Sequence, residues 1–71
     1  MFERIEINDG EKLYSYRYAD EETANNGGAW LQITEIPLEI NPETGETDME
    51  TTALNHGFQL SDRGWVKYLN I

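Results

Sequence analysis

Apolar and polar residues alternate over much of the chain, with the two-residue period of a β-strand. A first alternating stretch, residues 2–7, runs into an Asn-Asp-Gly triplet at 8–10, which favours the positive φ of a hairpin turn. A second stretch, residues 12–18, places three tyrosines on one face: Tyr14, Tyr16 and Tyr18. We expect a hairpin whose tyrosine face points inward, at least in part.

The alternation stops at residues 19–28 and resumes after them. The break predicts either one helical turn capped by Asp20 or a loop. Residues 29–34 form the third predicted strand. The apolar alternation continues past Pro37, and proline cannot donate to a strand ladder. This piece therefore belongs at a sheet edge or at a bend.

Residues 41–45 carry Asn, Pro and Gly where a turn needs them. If a strand returns from that turn, Glu46, Asp48 and Glu50 share one of its faces, roughly 7 Å apart. That version gives a hairpin with one strongly acidic side. In the alternative version, Asp48 caps a helix that runs through Asn55.

The last apolar stretches, on either side of residues 61–64, predict another hairpin in which Gly64 supplies the left-handed residue. A helix begun at Ser61 is the alternative, and a glycine so early in it counts against it. Together the segments predict one domain over residues 1–71. Its expected fold is mainly β, a small antiparallel sheet built from hairpins with room for one short helix; α+β is the alternative.

Charge is the most uneven property of the chain. Its 14 acidic and 5 basic residues give a net charge of −9. No Lys or Arg lies between Arg17 and Arg63, so the negative charge is concentrated in the middle. Phosphate backbones and anionic membranes are bound by Lys and Arg. The chain is therefore not expected to bind nucleic acid or membranes directly.

The sequence offers little for catalysis. It has no cysteine, its one histidine is His56 beside a glycine, and it has no phosphate-loop or calcium-loop motif. Among 14 carboxylates, some pair lies at a catalytic separation by chance. We predict no enzyme activity, catalytic residue, metal or cofactor. The absence of cysteine and of a long apolar run favours the cytoplasm.

In size, acidity and lack of catalytic motifs the chain resembles small phage-encoded inhibitors, such as anti-CRISPR and anti-restriction proteins. The resemblance is one of composition, and it implies a site of action in the host-cell cytoplasm. It agrees with the charge pattern, which predicts an inhibitor or regulator that docks an acidic face on a basic, nucleic-acid-binding protein surface. The candidate partner-binding residues are Glu39, Glu43, Glu46, Asp48, Glu50, Tyr16 and Tyr18.

A second hypothesis is a structural or assembly subunit that binds through an aromatic surface, since Tyr and Trp supply large contact areas. The competing interpretation is that the tyrosines and tryptophans form the core. The sequence leaves the oligomeric state open.

Overall fold

The computed structural model describes residues 1–69 and is mainly β, as predicted. Five strands form one antiparallel sheet in the order β3-β2-β1-β7-β6, and β4 and β5 form a separate ribbon. Two short helices are present where the sequence left room for one. The elements are β1 (Phe2–Asn8), β2 (Lys12–Tyr18), α1 (Glu21–Asn25), β3 (Gln32–Pro37), β4 (Glu39–Ile40), β5 (Thr47–Asp48), α2 (Met49–Asn55), β6 (Gln59–Ser61) and β7 (Gly64–Tyr68).

Both predicted hairpins of the main sheet are confirmed. In the first, the Asp9 N–H donates to the Lys12 carbonyl at 3.2 Å, and Gly10 has a φ of 89°. In the last, Gly64 has a φ of 101° and Ser61 pairs with it, so no helix begins there. Side chains disfavour these positive φ values, and glycine removes that cost.

The tyrosine face points inward only in part. Tyr18 is buried, whereas Tyr14 and Tyr16 are half-buried. On the opposite face of β2, Leu13 and Ser15 are fully buried. Alternation shows which residues share a face, but here each face is partly covered by one helix, so both faces contribute core residues.

The core accordingly has two clusters, one on each face of the sheet. The face covered by α2, the α2 face, carries the cluster Ile5, Leu13, Ile36, Ala53 and Phe58. The face covered by α1, the α1 face, carries the cluster Phe2, Tyr18, Ala24 and Val66. Neither helix exceeds seven residues, so part of each face is left open.

Side-chain caps explain where the two helices begin. Asp20 accepts from the Thr23 N–H at 2.8 Å, which confirms the helical turn predicted there. Asp48 accepts from the Thr51 N–H at 3.2 Å, and α2 then runs to Asn55. The helix version of residues 48–55 is therefore correct, and the long return strand is wrong.

The buried Thr52 holds the ribbon onto α2. Its hydroxyl donates to the Asp48 carbonyl at 2.8 Å and accepts from the Glu39 N–H at 2.7 Å. Leu38 and Met49 pack beside the α2-face cluster. The ribbon is thus fixed to the α2 side of the molecule. Within residues 1–69, no helix has the length and apolar content needed to span a membrane.

We predict that Leu13→Ala lowers the free energy of unfolding by about 2–5 kcal/mol, because it opens a cavity in the fully buried α2-face cluster. Leu60→Ala is the matched control: Leu60 is 68% exposed, and its loss should cost less than about 0.5 kcal/mol. Urea denaturation measures both values. Equal losses in the two variants would contradict this assignment of the core.

Candidate functional site

The candidate site is the acidic ribbon, which we define as residues 39–50: β4, β5, the loop between them and the first residues of α2. Its two strands pair Glu39 with Asp48 and Ile40 with Thr47. The predicted turn at 41–45 is confirmed, because the Asn41 carbonyl accepts from the Gly45 N–H at 2.8 Å. The ribbon is closed by a bond of the same length from the Asn41 N–H to the Glu46 carbonyl.

The ribbon brings together all five candidate acids. Glu43, Glu46 and Glu50 are exposed, and within residues 1–69 none of their side chains makes a hydrogen bond or ion pair. Glu39 and Asp48 are half-buried and bonded to neighbours on α2. Three acids are thus available to a partner, and two also support the local structure.

The predicted row of carboxylates along one strand face is wrong. The returning strand β5 has only two residues, Thr47 and Asp48. Asp48 uses its carboxylate to cap α2, and Glu50 already lies in the first turn of that helix. The acids therefore spread over a loop and a helix start, without the strand spacing of roughly 7 Å.

Glu39 links the ribbon to the end of α2. Its Oε1 accepts from Asn55 Nδ2 at 2.7 Å, and its Oε2 lies 2.8 Å from His56 Nε2. The bond from Asn55 and then that from His56 lower the pKa of Glu39. The Thr51 hydroxyl and N–H likewise lower the pKa of Asp48. Both carboxylates therefore stay charged at neutral pH.

The structure does not bring Tyr16 and Tyr18 to the acidic ribbon. Tyr18 is only 6% exposed, and its hydroxyl donates to Glu6 Oε2 at 2.6 Å. Tyr16 packs edge-to-face on Trp30, with ring centroids 5.8 Å apart. Both tyrosines lie on the α1 face, whereas the ribbon contacts α2 on the other side. They do not extend the acidic surface.

The cations of the sheet are engaged by groups that lie outside residues 39–50. Arg4 pairs with Glu6 at 3.0 Å, Lys12 with Glu35 at 3.3 Å and Arg17 with Glu3 at 2.7 Å. Lys67 donates to the His56 carbonyl at 2.9 Å, which it reaches from β7. No Lys or Arg occurs within the ribbon sequence itself, so every charged residue of the ribbon is an acid.

The open part of the α2 face forms a second feature, a cleft of about 270 Å³. Its floor holds Glu3, which is buried and receives the Arg17 Nε–H at 2.9 Å. Ser15 Oγ also donates to Glu3, at 3.4 Å. His56 borders the cleft but is bonded to Glu39. The buried carboxylate of the cleft, Glu3, is thus already paired with the half-exposed Arg17, as in a structural ion pair.

A third feature is an exposed apolar group, which the hypothesis of an aromatic binding surface anticipated only in part. Trp30, Leu31 and Ile33 are 51%, 56% and 38% exposed. Leu31 and Ile33 belong to the stretch whose alternation predicts the third strand. Alternation does not show whether another element covers the apolar side of that strand. Helix α1 covers the Phe2 end of its face and leaves these residues in water.

Comparison with protein-family models, curated proteins and solved structures finds no match to this chain. A proposal about function therefore depends on the charge and geometry of the chain itself.

We predict that Asp48→Ala destabilises the protein at neutral pH, because it removes the cap of α2. Hydrogen bonds lower the pKa of Asp48 in the folded state. Its contribution is therefore present above the unfolded pKa of about 3.9 and is lost as the pH falls through the lower, folded value. The difference in unfolding free energy between wild type and variant should shrink in acid.

Glu50→Ala is the control, because the exposed Glu50 side chain caps nothing. Denaturation midpoints measured across acid and neutral pH test the prediction. A wild-type advantage over Asp48→Ala that persisted unchanged well below the folded pKa would contradict a role for the Asp48 charge.

Proposed function

We propose that this chain is a non-catalytic binding protein that docks its acidic ribbon on the basic surface of another protein. The observation that carries the proposal is the set of exposed, unpaired carboxylates of Glu43, Glu46 and Glu50 within a segment free of Lys and Arg. Basic surfaces of this kind are common in nucleic-acid-binding proteins. Occupying one would make the chain an inhibitor or regulator of its partner.

Electrostatics favours this mode of binding. A cluster of like charges steers an oppositely charged partner, which raises the association rate and makes it sensitive to salt. The chain as a whole carries −9, so its long-range field has the same sign as the ribbon. Three of the basic residues, Arg4, Lys12 and Arg17, are paired with acids outside the ribbon, namely Glu6, Glu35 and Glu3.

The ribbon is also well organised for binding. Its loop is closed by backbone hydrogen bonds at Asn41, and its strand β4 is tied to α2 through Thr52. A surface that is already ordered loses less conformational entropy when a partner binds. The two half-buried acids, Glu39 and Asp48, contribute to this order.

Phage-encoded inhibitors that imitate DNA are the class that the chain resembles in composition. A proposal of the same action places it in the host-cell cytoplasm, on a protein that would otherwise hold nucleic acid. What supports this finer proposal is the acidity, the size and the exposed carboxylates of the ribbon.

A second candidate is an assembly subunit, favoured by the exposed side chains of Trp30, Leu31 and Ile33. Exposed apolar groups of this size are found at protein interfaces. Self-assembly would bring together two chains that each carry −9. Sedimentation at high protein concentration distinguishes the candidates, because a strict monomer excludes self-assembly through this surface.

The test of the first proposal is a double charge reversal, Glu43→Lys with Glu46→Lys. A partner captured by the wild-type chain from a lysate of its native host cells is purified, and its affinity is measured at low and high salt. We expect the double variant to weaken binding at low salt by at least tenfold, or about 1.4 kcal/mol. High salt should reduce the difference.

The matched control is Glu22→Lys with Asp62→Lys, which makes the same change in net charge at two exposed positions outside the ribbon. It should retain most of the affinity. If both double variants bind the partner equally well at low salt, the ribbon is not the docking face.

A further inference from the structure

The two edges of the main sheet differ in how they are protected. The edges are β3 and β6. Strand β6 has three residues and is closed at once by the turn into β7. Strand β3 has six residues and carries no Lys. Natural sheets usually blunt their edges with short strands, charges or proline. Strand β3 has only the single charge of Glu35 and Pro37 at its very end.

The hydrogen bonds of β2 show which β3 amides face outward. The Asp9 N–H donates to the Lys12 carbonyl. The backbone N–H and C=O groups of Lys12, and of every second residue after it in β2, therefore face β1. The backbone groups of the residues between them face β3. The same alternation holds just before β2, where the Glu11 carbonyl accepts from the Leu38 N–H at 3.0 Å. By alternation, Ile33 and Glu35 direct their N–H groups away from the sheet.

Pro37 occupies the next outward position, where its missing N–H breaks no ladder bond. This explains why the apolar alternation can run through a proline at a sheet edge, as predicted.

Apolar side chains accompany this open edge. Ile33 lies opposite Tyr16 on the α1 face, and the Trp30 ring packs on the same tyrosine. Leu31, just before the strand, is bonded to the Arg17 carbonyl through its N–H at 2.7 Å and leaves its side chain exposed. The edge thus combines outward N–H groups with a hydrophobic flank, which together form the binding surface used in strand addition.

We propose that β3 is a docking edge at which an extended, basic segment of the partner pairs as a sixth strand. The proposal takes its class of partner from the proposed function and adds a second contact to it. Backbone hydrogen bonds to the outward groups of Ile33 and Glu35 would give register. Alternate apolar side chains of the segment would cover Ile33 and its neighbours Trp30 and Leu31.

Charge complementarity selects this occupant over a second copy of the chain. Residues 18–62 contain no Lys or Arg, and Glu35 lies on the edge itself. Its bond to Lys12 is an exposed surface pair at 3.3 Å, which a basic side chain of the partner can replace at little cost. Two copies, at −9 each, repel one another instead.

The experiment uses a synthetic peptide of alternating Lys and Val as a probe and follows amide hydrogen exchange by NMR. With free peptide at about ten times its Kd, the Ile33 and Glu35 amides should exchange about tenfold more slowly, because only the small unbound fraction of the chain exchanges them freely. The Thr34 amide faces β2 and serves as the internal reference. A peptide of alternating Glu and Val should leave all three unchanged.

Three variants separate strand pairing from other binding. Glu35→Pro deletes an outward N–H and should abolish the slowing at Ile33, whereas Glu35→Gln keeps the N–H and should retain it. Leu60→Pro places a proline on the other edge strand, β6, and should also retain it. If Glu35→Pro does not fold, Ile33→Lys replaces it. This change puts a positive charge on the hydrophobic flank and should weaken peptide binding.

Three outcomes would overturn the inference. In the first, the Lys-Val peptide shifts the resonances of residues 39–50 but leaves the Ile33 and Glu35 amides unprotected. The proposed role of the acidic ribbon would then be retained. In the second, the Glu-Val peptide protects the Ile33 and Glu35 amides as well as the Lys-Val peptide does, so charge does not select the occupant.

In the third, the same amides are protected in concentrated protein without peptide, and sedimentation shows a dimer. A second copy of the chain would then be the occupant of the edge. A different result would overturn only the proposed role of the acidic ribbon. In that result the Glu43→Lys, Glu46→Lys variant keeps both the slowed exchange of the Ile33 and Glu35 amides and the wild-type affinity for the partner.

Discussion

Two helices of five and seven residues must cover both faces of a five-stranded sheet, and this shortage of covering structure determines the rest of the molecule. A chain of 71 residues is too short to form a five-stranded sheet and also helices long enough to cover both of its faces. Helix α2 shields Leu13 and its neighbours on one face, and α1 shields Phe2 and Tyr18 on the other. What is left open is a polar cleft on the α2 face and an apolar edge on the α1 face.

The acidic ribbon depends on the same arrangement. It packs at the α2 side because Thr52 and Glu39 bond it to that helix, and its connecting loop then projects with Glu43 and Glu46 exposed. The carboxylates that face solvent are therefore carried by a short, well-ordered structure. These exposed carboxylates lie close together in the sequence, in a segment that a basic surface can approach.

The strands and turns could be predicted from the sequence because alternation and glycine positions are local signals, as at Gly10 and Gly64. Residues 48–55 remained ambiguous, since Thr51 and Thr52 weaken a helix by propensity while Asp48 favours its start. The Thr52 hydroxyl bond to Glu39 is a tertiary contact that no local pattern reveals. Charge alone pointed to the five ribbon acids as candidates, and Pro37 pointed to a sheet edge. The bonds of Glu39 to Asn55 and His56, and the apolar side chains exposed along β3, are tertiary features that the sequence did not predict.

Carboxylate footprinting of the complex with the captured partner measures whether the acidic ribbon is the docking face. A carbodiimide and an amine label exposed carboxylates, and mass spectrometry compares labelling of the free and bound chain. If the ribbon is the docking face, Glu43, Glu46 and Glu50 should be labelled more slowly in the complex than in the free chain, and the labelling of Glu22 and Asp62 should be unchanged. Protection of Glu22 or Asp62 while the ribbon acids label as fast as in the free chain would contradict it.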